Sequence, residues 1–173
     1  MVELVAPDTR FHRSFLSSHV EWDGAWQDGA GLAEGDLVET AQGFERWVAR
    51  LNAAETTAPG EGMVTCTHRW IVDGDDYLGA IAFRHELTPF LLEQGGHIGY
   101  GVRPSARRRG LASWALGETL ELARGRGYDR VLIVCDIDNV ASRRTIEGAG
   151  GVLEDVRDTA DGKAMRRYWV TLA

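Results

Sequence analysis

Apolar positions along this chain switch between a period of two and spacings of three and four, and each switch separates a predicted strand from a predicted helix. Leu4 and Val5, ahead of Pro7, read as a first edge strand, and Asp8 or Thr9 is placed to cap a helix running through Phe11, Phe15 and Leu16. Leu37 to Ala54 reads as a second helix, with Leu37, Phe44, Trp47, Val48 and Leu51 on one face. Thr57 to Gly62, which contains Pro59 and two glycines, ends it. Val64 to Val72 and Tyr77 to Arg84 then flank Asp73-Gly74-Asp75-Asp76, a hairpin signal between apolar runs. Leu87 to Glu93 is either a short helix or a wide loop. Gly95-Gly96 turns the chain into a strand over Ile98 to Val102, and Pro104 ends that strand because it has no N–H to give to a ladder.

Beyond Gly110, the residues Ala112, Ala115, Leu116, Thr119, Leu120 and Ala123 form one continuous helical face, and Gly127 is the natural stop. Val131-Leu132-Ile133-Val134 is apolar throughout, the pattern of a strand covered on both sides. Strand, helix and buried strand make a crossover unit, so this half of the sheet is predicted to be parallel. A shorter helix over Asn139 to Gly148, capped by Asp138 or Asn139, precedes a hairpin of Val152 to Val156 and Arg166 to Leu172 around Asp161-Gly162. The pattern predicts a single α/β domain spanning residues 1–173, with one mixed sheet of about seven strands and helices on both faces.

Composition narrows the class. A chain of 173 residues, 44% hydrophobic and 26% charged, suits one complete core. The net charge is −7, but Arg103 to Arg130 holds seven arginines against Glu118, Glu121 and Asp129, a local +4 that leaves −11 for the rest. A basic island in an acidic protein suits a small polyanionic ligand and argues against broad nucleic-acid binding, which needs an extended basic face. Cys66 and Cys135, each in an apolar run, have neither a disulfide framework nor metal-ligand spacing and read as buried thiols, so no metal is expected. No apolar run approaches a membrane span and the start of the chain lacks a signal pattern, so a cytoplasmic protein with no membrane partner is expected.

The candidate chemistry centres on His97 to Ala112, HIGYGVRPSARRRGLA. Arg107, Arg108 and Arg109 stand just before a helix opening at Gly110, Leu111 and Ala112, whose first N–H groups lack intrahelical partners and favour an anion. Basic residues sit badly at the positive end of a helix dipole unless an anion compensates them, which sets this reading above a merely solvated helix start. A dinucleotide fingerprint would need glycines where the arginines stand. A phosphate-binding loop ending in Lys-Ser/Thr is absent, since Lys163 is the single lysine.

Arg107-Arg108-Arg109-Gly110-Leu111-Ala112 resembles the Arg/Gln-x-x-Gly-x-Gly/Ala motif of the GNAT superfamily of acetyl-CoA-dependent N-acyltransferases. Tyr100-Gly101-Val102-Arg103-Pro104 resembles the end of that family's fourth strand, and Asp138-Asn139-Val140-Ala141-Ser142 its second signature. The likeness covers roughly Met63 to Val156. It implies a sheet splayed between its fourth and fifth strands and coenzyme A or acetyl-CoA as cosubstrate. The pyrophosphate would lie on the backbone of Arg107 to Ala112, the pantetheine arm along Tyr100, Gly101 and Val102, and the thiol near Asn139 and Ser142. It also implies an amine acceptor, small molecule or peptide, attacking the thioester directly in a ternary complex.

Such a reaction needs a group to take the proton of the ammonium. His97 and Glu86 are the two candidates, with His97 ahead because a neutral imidazole is already tuned to pH 7. The family's usual tyrosine acid is replaced by Ile146, which leaves Ser142, a water, Tyr168 or unassisted departure of the thiolate. A glycine-rich loop, Gly24 to Gly35, carries Trp22 and Trp26 at its mouth; these read first as local packing, and the resemblance adds the lining of an acceptor site. The aromatic run Tyr168-Trp169-Val170, placed at a hairpin edge, together with the resemblance leads us to expect a homodimer. A non-catalytic coenzyme A binding module and a cofactor-free interaction protein of the same shape stay open beside the enzyme.

Overall fold

The computed structural model describes residues 1–172. Seven strands form one mixed sheet: β1 (Val2–Val5), β2 (Cys66–Asp73), β3 (Asp76–Arg84), β4 (Ile98–Val102), β5 (Arg130–Asp136), β6 (Val152–Asp158) and β7 (Ala164–Thr171). Their spatial order is β1-β2-β3-β4-β5-β7-β6, and only β4 and β5 run parallel. Four helices cover it: α1 (His12–Glu21), α2 (Ala41–Ala53), α3 (Leu111–Gly125) and α4 (Val140–Gly148).

Strand alternation divides the core between the two faces. Trp70 and Val72 of β2 point towards α1 and α2, while Ile71 between them joins the opposite core with Ile81, Phe83, Leu116 and Ile133. The α1/α2 side is an aromatic cluster in which the fully buried Trp70 stands 5.3 Å from Tyr77, 5.4 Å from Trp47 and 5.9 Å from Phe44. Ser14 on α1 accepts the Tyr77 N–H at 2.8 Å, which ties helix to sheet by a polar link inside that cluster. On the other side Leu111, Ala115, Leu116, Thr119, Leu120 and Ala123 are the buried positions of α3, the face its spacing predicts with Leu111 in place of Ala112.

Two features differ from expectation and one open reading is resolved. The second helix begins at Ala41, because Thr40 accepts the Gly43 N–H and caps it; Val38 enters the core and Leu37 is exposed. Leu87 to Glu93, read as a short helix or a wide loop, turns helical at Pro89 and continues into a π-helix at Leu91–Gly95. The C-terminal hairpin inserts β7 between β5 and β6, so Tyr168 and Val170 are buried and β6 is the edge, exposing Val152, Leu153 and Val156. The apolar edge expected at Tyr168-Trp169-Val170 therefore lies on β6. Among the described residues no helix is long and apolar enough to cross a membrane.

The aromatic cluster makes a stability prediction. Trp70→Ala should cost about 3–5 kcal/mol in urea unfolding, the range for emptying a large aromatic site. Trp70→Phe should cost clearly less, because the indole N–H has no partner among the described residues and its removal leaves no donor stranded.

Candidate active site

The site starts from a sheet that opens. β4 and β5 pair at one position, Ile98 with Ile133, and from Gly99 onward they part. The closed end is held by His97: its N–H donates to the Leu132 carbonyl at 2.7 Å, and its Nδ1 accepts the Leu132 N–H at 2.9 Å. A backbone amide can only donate, so Nδ1 is unprotonated and the proton sits on Nε2. Phe83, Tyr128 and Trp169 surround the ring. Burial, and then the Arg84 guanidinium, lowers its pKa to about 4. Gly96 makes the junction possible, since a Cβ there would stand 2.6 Å from the Leu132 oxygen.

Past Ile98 the parted strands enclose a cavity of about 630 Å³. Of the residues singled out from the sequence, Tyr100, Gly101, Val102, Arg107, Arg108, Gly110, Leu111, Ala112, Asn139 and Ser142 all line it. Arg109 is exposed and does not. At the mouth the turn before α3 places Arg108 at φ +63° and Gly110 at φ +77°. A non-glycine residue held in the left-handed region marks a turn whose shape matters more than its strain, and alternating hands aim successive amides inward. The amides of Gly110, Leu111, Ala112 and Ser113 have no acceptor among the described residues. Arg107 is held back, its Nε donating to the Val102 carbonyl at 3.1 Å and its guanidinium 4.8 Å from the Trp22 ring.

At the inner end, Asn139 Oδ1 accepts the Ser142 N–H at 3.0 Å and caps α4. The Tyr100 hydroxyl lies 2.9 Å from Ser142 Oγ. Ile146 is fully buried, and the Tyr168 hydroxyl donates to Glu147 at 3.1 Å outside the cavity lining. Tyr100, chosen from the sequence for its backbone, thus brings a phenol to the inner end of the cleft. Strand alternation carries the signal, since Tyr100 shares a sheet face with Ile98, whose side chain packs under α3.

A second cavity of about 460 Å³ lies beside the first and shares Trp26, Asp28 and Gly95 with it. Its walls include Leu32, Met63, Phe90 and Leu91, with His68 and Arg84 as polar members. Burial, then Arg84, lowers the His68 pKa to about 4, so that ring is neutral at pH 7. Arg84 is anchored by donating to the carbonyls of Gly95 at 2.9 Å and Gly96 at 3.3 Å. The glycine-rich loop forms the partition between the cavities. The indole of Trp47 and a guanidinium nitrogen of Arg50 each donate to the Gly31 carbonyl at 3.2 Å, and the Glu21–Arg103 ion pair at 2.6 Å fixes its entry. Trp22 lines the first cavity and Trp26 both, so the tryptophans are walls as well as packing.

The sequence profile of the Acetyltransferase (GNAT) domain matches residues 12–152. The chain belongs to the GNAT family. Solved structures agree in fold. An acetyltransferase from Salmonella typhimurium that modifies the N-terminal serine of ribosomal protein L7/L12 is 18% identical, with a TM-score of 0.70 over 98% of this chain and 94% of its own. A microcin C7 self-immunity acetyltransferase in complex with acetyl-CoA and AMP is 15% identical, with a TM-score of 0.70 over 98% and 92%. A ribosomal-protein-S5-alanine acetyltransferase from Vibrio fischeri is 13% identical, with a TM-score of 0.70 over 98% and 91%. No curated protein matches the chain by sequence.

In this GNAT chain the structure separates the two proton-transfer candidates from the cleft. His97 closes the splay with its ring among aromatics, and Glu86 is exposed beyond the end of β3; neither lines a cavity. Their nearness to the signature in sequence does not become nearness to its open end, because β4 runs away from both.

His97 and His68 make stability pH-dependent. Each has a folded pKa of about 4 against an ordinary 6.5, so between those values the unfolded chain binds more protons and acidification favours unfolding. Their contribution is complete above pH 6.5 and is lost as the pH falls through that window towards 4. Urea titrations at pH 7, 5.5 and 4.5 should show His97→Gln less stable than wild type at pH 7 and losing less stability on acidification.

Proposed function

We propose that this chain is an N-acetyltransferase that moves the acetyl group of acetyl-CoA onto a primary amine by direct attack in a ternary complex. The observation that carries this reading is the parted β4/β5 cleft, which runs from an amide-lined turn at Gly110–Ser113 to the Tyr100–Ser142 pair and abuts a second cavity. The free amides and Arg108 would receive the pyrophosphate, and the unpaired edge of β4 the pantetheine arm. Coenzyme A supplies the acetyl group as a thioester, and the chain's residues do the rest.

The Val102 N–H, which faces the cleft while Gly101 pairs with Ala80 of β3, would stabilise negative charge developing on the acyl oxygen. The departing sulfur then needs a proton, and the Tyr100–Ser142 pair stands in for the tyrosine that Ile146 replaces. Burial raises the Tyr100 pKa to about 12, so the phenol is protonated throughout the neutral range. The solved neighbour bound to acetyl-CoA and AMP supports the choice of cosubstrate, and those described as acting on ribosomal proteins support an amine acceptor.

Calorimetry should show stoichiometric coenzyme A binding and a large loss of affinity for pantetheine, which lacks the pyrophosphate; equal binding of the two would overturn the placement. Gly110→Val should weaken coenzyme A about tenfold, through roughly 1–2 kcal/mol of left-handed strain rather than a clash, and by more than Arg108→Ala does. A panel of primary amines with acetyl-CoA, read by thiol release, tests the activity itself. With an amine that turns over, Tyr100→Phe should lower kcat about tenfold and leave coenzyme A affinity intact. The effect is smaller than for a full general acid because a thiolate of pKa near 8.5 is already a fair leaving group.

A further inference from the structure

The two cavities meet at one ionisable side chain. Of the three residues lining both, only Asp28 titrates; the other carboxylate in the first cavity, Asp136, does not reach the second, and His68 is confined to the second. Asp28 is delivered by backbone packing that leaves the loop no slack. A Cβ on Gly29 would stand 2.5 Å from the Gly99 oxygen and 2.8 Å from the Tyr100 Cα, and one on Gly101 would stand 2.8 Å from the Asp28 carbonyl oxygen. The loop therefore lies directly on β4. A Cβ on Gly99 would be 3.1 Å from Asp28 Oδ1 and 3.2 Å from an Arg84 guanidinium nitrogen, so both groups sit over the splayed strand at this position and a side chain there would crowd them.

Resting on the acetyl transfer proposed above, we infer that Asp28 is the catalytic base of this chain, taking the proton of the acceptor's ammonium group where the acceptor cavity opens onto the cofactor cleft. The charged and titratable groups around it are Arg84 from β3, Asp136 from the end of β5, Tyr100 from β4 and His68 from β2. The carboxylate faces cavity water and is accessible, yet protein crowds it closely enough that burial raises its pKa; Asp136 adds to the rise and Arg84 opposes it. A carboxylate shifted upwards is a stronger base, and its negative charge attracts the cation it must deprotonate, offsetting Arg84 and Arg50 in the second cavity.

The protons balance. Transfer of one proton from R–NH3⁺ to Asp28 frees the nitrogen pair, which forms the N–C bond as the carbonyl π pair moves to oxygen. Return of that pair breaks the C–S bond. The second proton lost from nitrogen as the amide forms balances the one delivered to the thiolate, and Asp28 gives its own to solvent.

The apolar walls of the second cavity, Leu32, Met63, Phe90 and Leu91, suit an amine on an apolar body. Benzylamine, protonated at pH 7, and aniline, neutral at pH 7, are therefore matched probes. Asp28→Asn should lower kcat/KM for benzylamine about 10²-fold or more and flatten the acidic limb of its pH profile. The same variant should change aniline turnover only a few-fold and leave coenzyme A affinity unchanged. Asp28→Glu should recover part of the benzylamine rate and the acidic limb, which keeps the test open if the asparagine variant fails to fold. Equal losses for both amines, or an unaltered acidic limb, would overturn the assignment. A wild type that binds coenzyme A but acetylates neither amine would also overturn it, whereas failure to bind coenzyme A would sink the proposed function itself.

Discussion

The arrangement of this molecule depends on a sheet that is hydrogen-bonded at one end of a strand pair and parted at the other. A parallel pair normally satisfies both edges along its length, and exposed amides and carbonyls must find other partners. Here the ladder is replaced after Ile98 by a cavity, and the opening starts at a defined point because the His97 ring accepts the Leu132 amide that a strand carbonyl would otherwise take. The side chain acts as a fragment of backbone. Its neutrality is a condition of that duty, since a second proton on Nδ1 would face another donor across 2.9 Å.

The basic island shows how differently neighbouring arginines are used. Arg103 is paired with Glu21, whose pKa falls to about 2 chiefly through that contact, so it fastens α1 to the turn after β4. Arg107 bonds to the carbonyl of Val102, Arg108 holds a left-handed turn at the cavity wall, and Arg109 is exposed. The positive field comes from the run as a whole, while the shape of the turn comes from Arg108 and Gly110. Charge counting along the sequence sees the field alone.

Much of the fold was legible because its signals are local. β4 runs from Ile98 to Val102 as read, since Pro104 and the Gly95-Gly96 pair bound it, and β5 is covered on both faces as its unbroken apolar run implied. Capping by Thr40 was visible in principle but was outweighed by Leu37, whose helical spacing from Phe44 counts for nothing once the chain turns before it. The insertion of β7 between β5 and β6 was not legible, because period-two alternation says which face a side chain takes and nothing about which hairpin strand lies inward. For the site, the lining of the cleft followed from motif residues, but the side-chain assignments did not. Whether His97 meets water or Phe83, Tyr128 and Trp169 is decided by residues as far away in sequence as Trp169. Asp28 offered only the glycines beside it, which mark close approach without saying to what.

The partition loop rests on β4 through main chain rather than side chains, and this divides its positions into two kinds. Gly29 and Gly101 have no room for a methyl group without moving backbone, so they tie the loop's course to the strand. Leu32 and Ala33 line the second cavity without taking part in that seam. Mutational drift at those positions can remodel the wall of the second cavity while the β4/β5 cleft keeps its form, so the two cavities are separable under selection although they share one segment of chain.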